Sequence, residues 1–95
     1  MTIAQEIRAY LERVNPEALY IGIDEEHDSA LIGVTYIKRE DEFVHIAMYQ
    51  YESLVESFSK QFEDSEDPEQ DAVEWIDYNV ANAYVGKYTP FIVYN

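Results

Sequence analysis

The stretch Asp67-Pro68-Glu69-Gln70-Asp71-Ala72-Val73-Glu74-Trp75-Ile76-Asp77-Tyr78-Asn79 organises the reading of the whole chain. It continues through Val80-Ala81-Asn82-Ala83-Tyr84-Val85-Gly86 to Thr89-Pro90-Phe91-Ile92-Val93-Tyr94. Its start is the clearest helix signal present. Asp67 is placed to cap, Gln70 follows at the third position, and Pro68 takes the first, where its missing N–H would have no helical partner anyway. The acids of the first turn suit the positive end of the helix dipole. Val73, Ile76, Val80 and Ala83 recur at three- and four-residue steps and predict the buried face. Gly86 reads as the stop, and Pro90 opens a short final strand, Phe91 to Tyr94, at a sheet edge.

Upstream, Tyr51 to Phe62 reads as a second helix with Leu54, Val55, Phe58 and Phe62 as its stripe and Gln50 as a weak cap. Glu63-Asp64-Ser65-Glu66 links the two helices. Before them lie three expected strands, Ala18 to Ile23, Ala30 to Ile37 and Phe43 to Tyr49, separated by the polar turns Asp24 to Ser29 and Lys38 to Glu42. Gly33, inside the second strand, suggests a bulge or a close backbone approach. In the third, Phe43, His45, Ala47 and Tyr49 alternate with Val44, Ile46 and Met48. Short turns between successive strands predict an antiparallel meander.

The chain starts with an expected helix, Thr2 to Val14. Ile3, Ile7, Tyr10, Leu11 and Val14 share one face, Thr2 and Gln5 have capping-box spacing, and Asn15-Pro16 ends it. Glu6, Arg8, Glu12 and Arg13 read as a solvated opposite face. The expectation is one α+β domain over residues 1–95: helix, three-stranded antiparallel meander, two helices and a short C-terminal strand, with the helices packed on one face of the sheet.

Composition narrows the function. Twenty acidic residues face six basic ones in 95, a formal net charge of −14. Such a chain lacks the Lys and Arg needed for direct contact with nucleic acid phosphates or anionic membranes, and it attracts basic partners. There is no Cys, hence no disulfide and no thiolate metal site. No leader-like N-terminus or membrane-length apolar run is apparent, so a soluble cytoplasmic protein is expected.

Chemistry finds little to hold. Asp24, Glu25, Glu26, His27 and Asp28 crowd one turn, but the EF-hand spacing and its Gly are missing, so a solvated turn is the plainer reading. His27 lies among acids that favour its protonated form, and His45 alternates with apolar neighbours; both read as structural. No serine sits in a nucleophile elbow, and no Gly-rich loop is present to cradle phosphate. No enzyme, cofactor or metal is expected. Trp75, Tyr78 and Tyr84 are candidates for a binding patch, although aromatics in so small a domain belong more often to the core or its rim.

What remains is the acidic run: Glu63, Asp64, Glu66, Asp67, Glu69, Asp71, Glu74 and Asp77, with no Lys or Arg between Lys60 and Lys87. Duplex DNA carries one charge per about 1.7 Å of axis. A helix rises about 1.5 Å per residue, so Asp67, Asp71 and Glu74 form a row of carboxylates several Å apart. Extended by the linker and by Asp24, Glu25 and Glu26, that row would imitate a phosphate track; the competing reading is a solvated acidic face.

Certain residues carry a family likeness. Ala30-Leu31-Ile32-Gly33 after an Asp, Tyr49-x-Tyr51 opening a helix, Ala72-x-Glu74-Trp75-x-x-Tyr78-Asn79, Ala83-Tyr84-Val85-Gly86 and Thr89-Pro90 together resemble a family of small bacteriophage and prophage proteins. The likeness runs from about Pro16 to the end and implies a phage origin, not a mechanism. Gln50 stands where the family has a capping Asp, and the linker from Glu63 to Asp67 is longer and more acidic. The expected element order is also similar to that of a small acidic anti-CRISPR protein. The resulting expectation is a phage-encoded inhibitor of a host nucleic-acid-binding defence system, anti-CRISPR or anti-restriction. It would act in the host cytoplasm as an acidic nucleic-acid mimic in the basic groove of a nuclease or CRISPR effector subunit. The alternative is a phage accessory or structural binding module whose acidity serves solubility.

Overall fold

Thr2 and Gln5 begin the first helix with reciprocal hydrogen bonds. In the computed structural model, which describes residues 2–81 and 83–94, Gln5 N–H donates to Thr2 Oγ1 (3.1 Å) and Thr2 N–H donates to Gln5 Oε1 (2.8 Å). Two of the unpaired donors of a helix start are satisfied in this way. The helix, α1, spans Ile3–Val14. Asn15 ends it and ties it to the sheet, its Nδ2 donating to the carbonyl of His45 at 2.7 Å.

The next segment corrects the expected first strand. Ala18 to Ile23 is not a strand. Gly22 has φ +84°, and a Cβ there would stand 2.5 Å from the His27 ring. The chain therefore bends where a ladder would need extended backbone. Its amides go elsewhere: Leu19 N–H donates to Tyr88 O (3.3 Å) and Ile21 N–H to the buried Tyr49 hydroxyl (3.1 Å).

Two long strands follow, β1 (Leu31–Arg39) and β2 (Glu42–Gln50), paired antiparallel from Leu31 with Tyr49 to Arg39 with Glu42. The register slips between Leu31 and Gly33, and a Cβ on Gly33 would press on the Met48 methyl at 3.3 Å. The expected bulge and close approach both lie there. The turn is tighter than expected, its two central residues Glu40 (φ 50°) and Asp41 (φ 70°) both lying in the left-handed region. That is the backbone of a two-residue hairpin whose twist matches the strands.

The last strand, β3 (Phe91–Val93), lies parallel to β2, with Met48 opposite Phe91 and Gln50 opposite Val93. The sheet is thus mixed, in the order β1-β2-β3, and not the expected antiparallel meander. The class is α+β.

Between β2 and β3 come α2 (Tyr51–Ser59), a 3-10 turn over Lys60–Phe62, and α3 (Pro68–Ile76). Gln50 does cap α2, its Oε1 accepting from Ser53 N–H at 2.8 Å. Leu54, Val55 and Phe58 are buried, with Phe62 packed against them, as the stripe predicts. α3 ends earlier than expected. A π turn over Asp77–Ala81 replaces its continuation, and Asn79 Nδ2 donates to the Trp75 carbonyl at 3.2 Å. Such a side chain competes with the backbone ladder. Gly86 sits in a later turn that closes through Thr89 N–H to its carbonyl at 3.1 Å. Asn82 lies outside the described residues.

The core joins the helices to the sheet. Leu11 of α1, Tyr49 of β2, Leu54 of α2 and Ile76 of α3 meet in one buried cluster with Ala18, Ile21 and Leu31. Each large apolar side chain so buried contributes about 1.5–3 kcal/mol.

A candidate acidic interaction surface

The linker after the 3-10 turn is a tight, ordered bend. Ser65 N–H donates to Phe62 O at 2.9 Å, the Ser65 hydroxyl donates to Asp71 Oδ2, and Asp67 N–H donates to Ser65 Oγ at 3.2 Å. With Ser65 turned inward, Glu63, Asp64 and Glu66 are left exposed. Asp67 then caps α3, its Oδ1 accepting from Gln70 N–H at 3.2 Å.

The row Asp67, Asp71, Glu74 is therefore not uniform. Asp67 and Asp71 serve the local fold, and Asp71 is half-buried. Glu74 is exposed and accepts a long contact from Gln70 Nε2 at 3.5 Å. Asp77, past the helix end, accepts from the Tyr51 hydroxyl at 3.0 Å. Burial, then that bond to Asp77, raises the Tyr51 pKa. None of the carboxylates from Glu63 to Glu74 joins an ion pair among the described residues.

The acidic turn is placed against the start of this run. Glu26 Oε1 accepts from Gln61 Nε2 at 3.3 Å, two residues before Glu63. Asp24, Glu25 and Glu26 are exposed there, with Asp24 at φ 53°. Among the described residues, no group of three acids or histidines converges to hold a metal ion.

One residue read as solvent-facing, Arg8, turns out to be structural, and His27, read as structural, differs from expectation in its protonation. Arg8, expected on a solvated helix face, reaches Asp28 through Nη2 (2.6 Å) and Nε (2.9 Å to Oδ2). It also donates to the Asp24 carbonyl at 2.8 Å and lies 4.1 Å from the centre of the Tyr20 ring. The bond to Asp28 raises its pKa. His27, expected to favour protonation, is only 2% exposed, and burial lowers its pKa against the opposing pull of Glu26. It stacks on Phe58 with centroids 3.9 Å apart. Nδ1 lies 2.7 Å from Ser57 Oγ. Nε2 has the Glu26 carboxylate at 2.9 Å, though not in the direction of a good hydrogen bond. Ser57 and His27 are buried and Glu26 is exposed, with Ser57 also donating to the Glu26 carbonyl at 3.3 Å, so the group anchors the turn to α2. His45 is structural too, its ring 4.3 Å from that of Tyr36 and 6.2 Å from that of Tyr10.

The aromatics divide. Tyr49 is core, but Trp75 is 46% and Tyr78 87% exposed, and Tyr84 is exposed as well. Trp75, Tyr78 and Phe62 line a shallow groove beside Asp71, Glu74 and Asn79. The three-residue spacing of Trp75 and Tyr78 on the polar side of the helix was the available sign of this exposure. No helix among the described residues is long and apolar enough to cross a membrane. Compared with protein-family models, curated proteins and solved structures, the chain matches none.

Proposed function

We propose that this chain is a phage-encoded inhibitor of a host nucleic-acid-binding defence protein, and that it binds as an acidic mimic in a basic groove. The supporting observation is the arc of exposed carboxylates at Glu63, Asp64, Glu66, Glu69 and Glu74, continued by the Asp24 to Glu26 turn through Gln61. None of the run's acids from Glu63 to Glu74 is neutralised by an ion pair among the described residues. Clustered charge of one sign steers a basic partner and fixes its register more than it adds contact area. The phage origin and the defence target rest on the family resemblance. The protein acts by binding in the host cytoplasm, without chemistry of its own. Packing of the three helices on one face of the sheet belongs to the same reading, supported by α1 touching both long strands and α3 packing on α2.

The exposure of Trp75 and Tyr78 favours a second reading, a phage accessory or structural module that recognises a protein through aromatics. Capture from host lysate at low and high salt separates the two. The substitutions belong on Glu63→Lys, Asp64→Lys and Glu66→Lys, because Asp67 and Asp71 hold the helix start. The mimic predicts a nucleic-acid-binding partner, recovered only at low salt, whose affinity falls about tenfold or more in the triple variant. Unchanged, salt-resistant capture by the triple variant would overturn it in favour of the accessory module.

A further inference from the structure

Four of the chain's six cations lie over tyrosine rings: Arg8 over Tyr20 at 4.1 Å, Lys87 over Tyr88 at 5.3 Å, Arg39 over Tyr84 at 5.4 Å and Arg13 over Tyr10 at 5.5 Å. Two of these cations also meet a carboxylate, Arg8 at Asp28 and Lys87 at Glu42. The protein thus repeatedly places a cation between an aromatic face and an acid. Trp75 and Tyr78 offer the same surroundings without the cation. Neither takes part in a cation–π contact among the described residues, and no Lys or Arg occurs between Lys60 and Lys87.

The shallow groove beside them has a volume of about 320 Å³ and is lined also by Phe62, the Phe62 and Trp75 centroids lying 6.5 Å apart. Glu74, exposed, and Asp71, half-buried, both line it. Two exposed aromatic side chains of this size leave apolar surface in water in a groove whose charged lining residues, Asp71 and Glu74, are both acidic. That combination selects the occupant. An apolar segment would bring no charge to meet the acids, and an acidic one would be repelled. Arginine fits best: its planar guanidinium stacks on indole and phenol faces while its N–H groups reach a carboxylate, and it loses less hydration than lysine.

We infer that the Phe62, Trp75 and Tyr78 groove is a receptor for an arginine side chain of a basic protein partner, stacked on the two exposed rings and paired with Glu74. This rests on the proposed acidic-surface function and names the chemistry of its anchor. Arginines that hold nucleic acid in the partner's groove would be the ones captured.

Trp75 is the only tryptophan, so its fluorescence reports this groove alone. The test titrates the full chain with short oligo-arginine and oligo-lysine peptides of equal length, following Trp75 emission and, independently, binding heat. The expected result is a change in Trp75 emission with the arginine peptide and an affinity about threefold or more above that of the lysine peptide. Tyr78→Ala should remove most of that preference, weakening arginine binding more than lysine binding. Its ring is almost wholly exposed, so the fold should survive, as circular dichroism would show. Equal affinities for the two peptides, or a preference undiminished in Tyr78→Ala, would overturn the arginine receptor while salt-sensitive binding of both left the acidic mimic standing. Binding heat without a Trp75 signal would place the peptide elsewhere and overturn it as well. Failure of both peptides to bind the folded chain at low salt would sink the inference together with the function beneath it.

Discussion

Two acidic regions of this protein have similar composition and differ in how they are tied to the fold. The turn from Asp24 to Asp28 is drawn into the fold. Asp28 is gripped by Arg8, the Asp24 carbonyl accepts from the same guanidinium, and Glu26 meets His27 and Gln61. The run from Glu63 to Glu74 receives no cation among the described residues, and its only engaged acids serve the backbone or a neighbouring side chain. The difference is the supply of positive charge. Helix α1 delivers Arg8 across 20 residues of sequence to Asp28, and among the described residues no ion pair reaches α3. Acid density alone therefore says little about a residue's work; the presence of a cation across the fold decides it.

The contrast is most exposed to test at Arg8. Arg8→Ala should lower stability by about 2–3 kcal/mol, because it strands a largely buried carboxylate and frees the Asp24 turn. Urea denaturation would measure it. A loss under about 0.5 kcal/mol, the scale of an exposed pair, would erase the distinction between the regions.

A smaller effect is expected from His27. Its folded pKa lies below the ordinary value of 6.5, with burial the leading cause. The folded state then binds fewer protons than the unfolded one between those two values, so stability rises with pH there. The contribution is complete above about pH 6.5 and is lost as pH falls toward the folded value. His27→Gln should flatten that part of a stability-against-pH curve. A slope of the same size in the variant would show that other groups carry it.

The smallest effect belongs to the run itself. Converting Glu63, Asp64 and Glu66 together to Lys should change stability by no more than about 0.5 kcal/mol, with a slight gain from relieved self-repulsion. Thermal or urea unfolding of the variant already made for the capture experiment supplies the number. A large loss would mean that the run serves the fold as the turn does.

Much of the architecture was legible where its cause is local. The Thr2 and Gln5 box, the Asp67 cap with Pro68, and the α2 stripe all depend on residues within four positions of each other. The strand expected over Ala18 to Ile23 failed for the opposite reason. Its apolar run was real, but the partners of its amides are Tyr49 and Tyr88, 28 and 69 residues away, and Gly22 must clear the His27 ring. The orientation of β3 was hidden likewise, because three residues carry no mark of parallel or antiparallel pairing. On the candidate surface, the exposure of Glu63, Asp64 and Glu66 followed from their polarity in a linker. The commitment of Asp71 to Ser65 and the lack of a cation at Trp75 and Tyr78 did not.

By itself the sequence determined the net charge, the helix starts, the α2 stripe and the absence of any cation from Gln61 to Gly86, since each is a property of composition or of neighbours along the chain, whereas on α1 the expected face leaves Ile3, Tyr10 and Val14 exposed. Only the tertiary structure decided which acids are neutralised, which histidine nitrogen faces a carboxylate, which aromatics stay in water and how the third strand runs. Those outcomes depend on groups brought together from distant positions. Coulomb attraction and burial act on distance in space, to which separation along the chain is a poor guide.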